Sequence, residues 1–165
     1  MGGAVIAAYL EQPLANRSLV AAVVLDAPML DLQSTIEHAI RRTPVIGHFA
    51  GPLARATEFR LGRNFDDAAY LDSTAREVDR LDLPMLLLHQ SGDHLVPIET
   101  SRRLAGASTR ITLHQFPPAG HTRAWNDDPL RYEALVASFV ADVLGQPDPG
   151  ASDVTTELIG TSCTN

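Results

Sequence analysis

Cysteine is nearly missing from this sequence: 165 residues contain one, Cys163, in a polar tail. A single thiol excludes an internal disulfide framework and suits a reducing compartment. Basic charge is scarce too. Thirteen Lys and Arg against 20 Asp and Glu leave a net charge of −7 and a pI near 5.2. That balance offers no basic surface to nucleic acid or anionic lipid and points to a neutral small molecule as partner. Long apolar runs are absent. The longest, Leu19 to Leu25, falls far short of the ~20 residues of a membrane span. Met1 to Leu10 is apolar, but no positive residue precedes it and Glu11 comes too soon for a signal peptide. Ile6 stands where myristoylation after Met1-Gly2 wants Ser or Thr. No internal repeat is seen. A cytoplasmic protein without a membrane span is the expectation.

What is present suits one α/β domain, because 45% apolar residues can fill one core. Leu19 to Leu25 is a continuous β-branched run of the kind found in parallel strands covered on both faces. Met85 to His89 and Arg110 to Phe116 are two more such strands. Helices are expected over Met1 to Gln12, stopped by Pro13, and over Ile98 to Ala105, stopped by Gly106. A third is expected over Pro129 to Leu144, with a stripe of Leu130, Ala134, Leu135, Phe139, Val140 and Val143 and a cap at Gly145. Strands alternating with helices indicate a mostly parallel sheet. Asp31 to Leu83 interrupts the alternation with weak helical periodicity, and reads as an inserted helical cap. Residues 146–165, rich in Pro, Gly, Ser and Thr, read as a disordered tail after a 1–145 domain.

Catalytic groups of parallel sheets sit at the carboxyl ends of strands. Here the second strand runs into Ser91-Gly92-Asp93-His94-Leu95-Val96-Pro97 and the third into Pro118-Ala119-Gly120-His121-Thr122. A carboxylate and an imidazole on neighbouring strand-end loops can meet, the carboxylate setting the tautomer and stabilising the imidazolium. Asp26 also ends a strand and is the rival acid, read mainly as a loop residue before Pro28. His89, His94 and His121 suggest a metal, but no pair has the i, i+4 spacing of a helical ligand set, so neither metal nor cofactor is expected. His38, His48 and His114 read as ordinary polar residues, Trp125 as packing for the loop after His121, and Arg41, Arg42, Arg55, Arg60 and Arg63 as a solvated face.

Asp before His is the order of a Ser, Asp, His triad, and the opening Met1-Gly2-Gly3-Ala4 resembles the second half of a nucleophile elbow, G-x-S-M-G-G, cut just after its serine. With Leu25-Asp26-Ala27-Pro28, Gly92-Asp93 followed by Val96-Pro97, and Gly120-His121-Thr122 followed by Trp125-Asn126, the chain resembles the α/β-hydrolases of the esterase, monoacylglycerol-lipase and serine-aminopeptidase-like group over about residues 1 to 145. The resemblance implies a truncated α/β-hydrolase fold, with the last three strands, flanking helices and a cap over 31–83. It makes Asp93 the triad acid, His121 the base, Met1 the oxyanion-hole amide of an intact parent and Gly2 the elbow glycine. The parent would act on carboxylic esters or related acyl compounds. The chain without its serine would be inactive, and its first strand, left at an edge, would invite self-association. The alternative is a non-catalytic binding module that keeps the late half of the fold.

Overall fold

The computed structural model describes residues 2–12, 19–41 and 67–145. Met1, the 146–165 tail and residues 42–66 of the expected cap lie outside them. The described chain runs α1 (Gly2–Leu10), β1 (Val23–Asp26), α2 (Leu32–Arg41), α3 (Asp67–Arg80), β2 (Met85–Gln90), α4 (Ile98–Gly106), β3 (Ile111–Phe116), α5 (Ala124–Asp127) and α6 (Pro129–Leu144).

The strands form one parallel sheet in the order β1-β2-β3. β2 is central, and all six of its residues are buried. Side chains alternate across a strand, so β2 feeds two layers. Met85 and Leu87, with Val23, Leu25 and Ile111, pack against Ala7 and Leu10 of α1, Leu71 and Val78 of α3, and Leu104 of α4. Leu86, Leu88 and Phe116 pack on the other face against Ala124 and Tyr132, Leu135, Val136 and Phe139 of α6. A strand covered on both faces has no polar side, hence the unbroken Met-Leu-Leu-Leu. Local chemistry sets the helix ends. Asp31 receives the Ser34 amide at 2.6 Å ahead of α2. Asp128 receives the Arg131 amide at 3.2 Å ahead of α6, where Pro129 opens the first turn, and Gly145 closes that helix in the left-handed region.

Two expectations need correcting. β1 covers only Val23 to Asp26, and Leu19 is 82% exposed. A strand is as long as its ladder: Val23 already reaches the Pro84 carbonyl, and β2 starts at Met85. Among the described residues β1 pairs on one side alone, and that edge is shorter than the run implied. Second, the α6 stripe is rotated. Leu130 and Val140 are exposed, and Tyr132, Leu135, Val136 and Phe139, at i, i+3, i+4 and i+7, face the sheet. Within 31–83 the described residues form two helices, α2 and α3, and α3 contributes Leu71, Ala75 and Val78 to the main core.

Leu87→Ala should cost about 2–5 kcal/mol, the usual cost of an unfilled core site. Leu130→Ala should stay within about 0.5 kcal/mol. Urea unfolding of both variants checks the assignment of faces, and equal losses would contradict it.

Candidate active site

Beyond β2 the chain turns through Ser91 and Gly92 to Asp93, and beyond β3 through Pro117 to Gly120 and His121. The two loops touch at Gly92, where a Cβ would stand 2.7 Å from Pro118 Cβ and 3.0 Å from its Cα. Only glycine permits that approach. Asp93 is 3% exposed. Its Oδ1 accepts from the backbone N–H of Leu95 at 2.8 Å and of Val96 at 3.0 Å. Its Oδ2 lies 2.8 Å from His121 Nδ1. An ionised carboxylate only accepts, so Nδ1 carries the proton and Nε2 is the nitrogen left to exchange one. No hydrogen bond from a described residue reaches Nε2, and the His121 side chain keeps 28% of its surface exposed. Burial pushes the Asp93 carboxyl up, but the His121 hydrogen bond and the Val96 and Leu95 amides outweigh it and hold the group below its ordinary value. Thr122, just after His121, has φ 52°, a strained value for a β-branched residue that marks a tightly determined loop.

The last two residues of β2 support the two loops from opposite faces. His89 is fully buried. Its Nδ1 lies 2.7 Å from Ser101 Oγ on α4, and its Nε2 lies 3.2 Å from the Val96 carbonyl and 3.5 Å from Asp93 Oδ2. Gln90, also fully buried, turns its amide oxygen to the backbone N–H of Arg123, at 2.7 Å, and of Ala124, at the start of α5. From α2, His38 Nε2 reaches the Asp93 carbonyl at 3.0 Å. Sequence reasoning passed over all three. A usable signal existed for two of them: polar residues ending a run buried on both faces must find partners inside the fold.

Asp26 stands at the end of β1 beside this pair, where it feels the charges of His121 and Asp93. Burial raises its pKa more than the Tyr132 hydroxyl and His121 lower it. Its Oδ1 is buried without a partner among the described residues, and it makes no hydrogen bond to His121. His94 and Trp125 point outward. Trp125 is 50% exposed and donates to Glu133 of α6 at 2.9 Å. Met1 lies outside the described residues. Gly3 packs against Pro28, where a Cβ would come within 2.6 Å, whereas no described residue crowds Gly2. Close packing therefore explains one of the two opening glycines.

The chain is similar to the esterase Pf2001 of Pyrococcus furiosus. In its P21 crystal form the TM-score is 0.52 at 17% identity, over 85% of this chain and 49% of that one. In its P212121 form the values are 0.50 and 16%, over 75% and 45%. It is also similar to the meta-cleavage product hydrolase CumD of Pseudomonas fluorescens IP01, at TM-score 0.47 and 19% identity over 86% and 61%. No protein-family model and no curated protein matches the sequence. The Pf2001 likeness shows the fold: three parallel strands with flanking helices, of the α/β-hydrolase type. The chain spans about half the length of the Pf2001 chains.

A carboxyl whose folded pKa lies below its ordinary 3.8 stabilises the fold above that pH, and the contribution is lost as pH falls through the depressed value. Asp93→Asn should therefore be less stable than the wild type near neutral pH. The gap should close as pH drops below about 3.8. Unfolding midpoints in urea across an acid series measure it, and a gap independent of pH would show that Asp93 carries no depressed titration.

Proposed function

We propose that Asp93 and His121 are the acid and base of a serine hydrolase acting on carboxylic esters or related acyl compounds, with the serine supplied by chain preceding Met1. The observation that carries this reading is the 2.8 Å pairing of a buried, multiply hydrogen-bonded carboxylate with the Nδ1 of a part-exposed imidazole. That arrangement leaves Nε2 with a lone pair directed away from the carboxylate. In the reaction Nε2 takes the proton of a serine hydroxyl as its oxygen bonds to the acyl carbon, and Asp93 stabilises the resulting imidazolium. The tetrahedral intermediate collapses, the bond to the leaving group breaks, and His121 returns the proton to that group. Water then repeats the sequence on the acyl-serine and frees the acid. Among the described serines none bonds to His121: Ser34 bonds to Asp31, Ser73 to Glu11, Ser101 to His89 and Ser108 to Asp79, and neither Ser91 nor Ser138 makes a hydrogen bond to it. In this reading the backbone N–H of Met1 serves the oxyanion hole, and Gly2 closes the elbow.

Residues 1–165 alone should not label with a fluorophosphonate, and a chain extended upstream through an in-frame Gly-x-Ser should label stoichiometrically. In that extended chain His121→Ala should abolish ester turnover and Asp93→Asn should lower it about 10⁴-fold, with Asp26→Asn having little effect. Labelling of residues 1–165, or a greater loss from Asp26→Asn than from Asp93→Asn, would sink the assignment. Failure of the extended chain to label would favour the non-catalytic module.

A further inference from the structure

We propose that His89 is a positioning residue for the Asp93–His121 pair, held as a neutral Nε2–H tautomer by Ser101 so that its N–H faces the carboxylate oxygen used by His121. The tautomer follows from the partners. Nε2 faces two acceptors, the Val96 carbonyl at 3.2 Å and Asp93 Oδ2 at 3.5 Å, so it carries the proton. Nδ1 is then the bare nitrogen and must accept, and the hydroxyl of Ser101, 2.7 Å away and fully buried, is its donor. The Ser101 O–H, the His89 ring and the acid loop thus form a single line of donors. The hydrogen bond to Val96 also fixes the loop whose amides bind Asp93 Oδ1, so His89 acts on both carboxylate oxygens.

Neutrality matters as much as direction. A second imidazolium at this distance would draw off the negative charge that His121 needs as it becomes protonated. Burial lowers the pKa of His89, against the raising influences of Val96, Asp93 and Glu99. The ring therefore supplies a dipole and leaves the charge of Asp93 undivided. The other groups facing this cluster are His38 from α2, on the Asp93 carbonyl, and Asp26 from β1 with its neighbour Tyr132 from α6. None of them reaches His89.

The proposal rests on reading Asp93 and His121 as a working acid–base pair, but its test does not use activity. The readout is the carboxyl ¹³C titration of Asp93 in the 165-residue chain, its signal assigned with Asp93→Asn. Ser101→Ala, which lies away from the carboxylate, and His89→Leu should each raise the proton affinity of Asp93 about two- to tenfold, the scale of one modest hydrogen bond. His89→Gln, whose amide N–H can take the place of Nε2–H, should restore it, and Asp26→Asn should leave the Ser101→Ala effect in place. An unchanged Asp93 in Ser101→Ala overturns the proposal, whether or not His89→Leu folds. So does a folded His89→Gln that behaves like His89→Leu. A missing esterase activity in the extended chain would instead count against the acid–base reading and leave this titration standing.

Discussion

A carboxylate removed from water loses several kcal/mol of solvation unless the fold gives it donors in return, and removing one such donor is more costly than the donor's net worth suggests. Asp93 is in that position. It is 3% exposed, and donors arrive from its own loop, through the Leu95 and Val96 amides, and from the loop after β3, through His121. The two amides are local, but His121 cannot be in place unless β2 and β3 are in register, because the register sets where the two strand-end loops leave the sheet. The ladder from Met85↔Ile111 to Gln90↔Phe116 ends both strands at the same level. The loops then meet at Gly92 and Pro118. Sheet pairing, loop contact and charge burial depend on one another.

The pair is asymmetric in a way that suits proton transfer. On the Nδ1 side the ring is held by a buried, hydrogen-bonded carboxylate, so it cannot easily turn or change tautomer. On the Nε2 side the imidazole keeps part of its surface open. The same division runs through β2. His89 and Gln90 are neighbours in sequence but face opposite layers, one supporting the Asp93 loop and the other the start of α5 just after His121. The strand therefore ends in two polar residues where its earlier rungs are apolar.

Much of this was legible in the sequence, and the failures have physical causes. The Met85 run was readable because a strand covered on both faces has no polar rung until its end. Asp93 and His121 stood out because Gly and Pro punctuate the chain where strands give way to loops. β1 was overread because apolar character does not set strand length; the partner strand does, and β2 has no rung before Met85. α6 was misphased because Leu130 and Val140 are apolar but face outward, and periodicity alone cannot tell a tolerated surface leucine from a core one. His38 was not recoverable at all. It lies 55 residues from Asp93, and nothing local announces that α2 will bring its ring to that carbonyl. His89 and Gln90 were within reach, had the end of the strand been treated as interior rather than as an exit.

The central claim is that a buried carboxylate holds the Nδ1 proton of His121. Proton NMR of the 165-residue chain tests it without any assumption about the reaction. A proton in a strong bond to a carboxylate, sheltered from water, resonates far downfield of ordinary amides. The account predicts such a signal, assigned to His121 by its loss in His121→Gln, absent in Asp93→Asn and retained in Asp26→Asn. A downfield signal that survives Asp93→Asn, or one that disappears in Asp26→Asn instead, would contradict it.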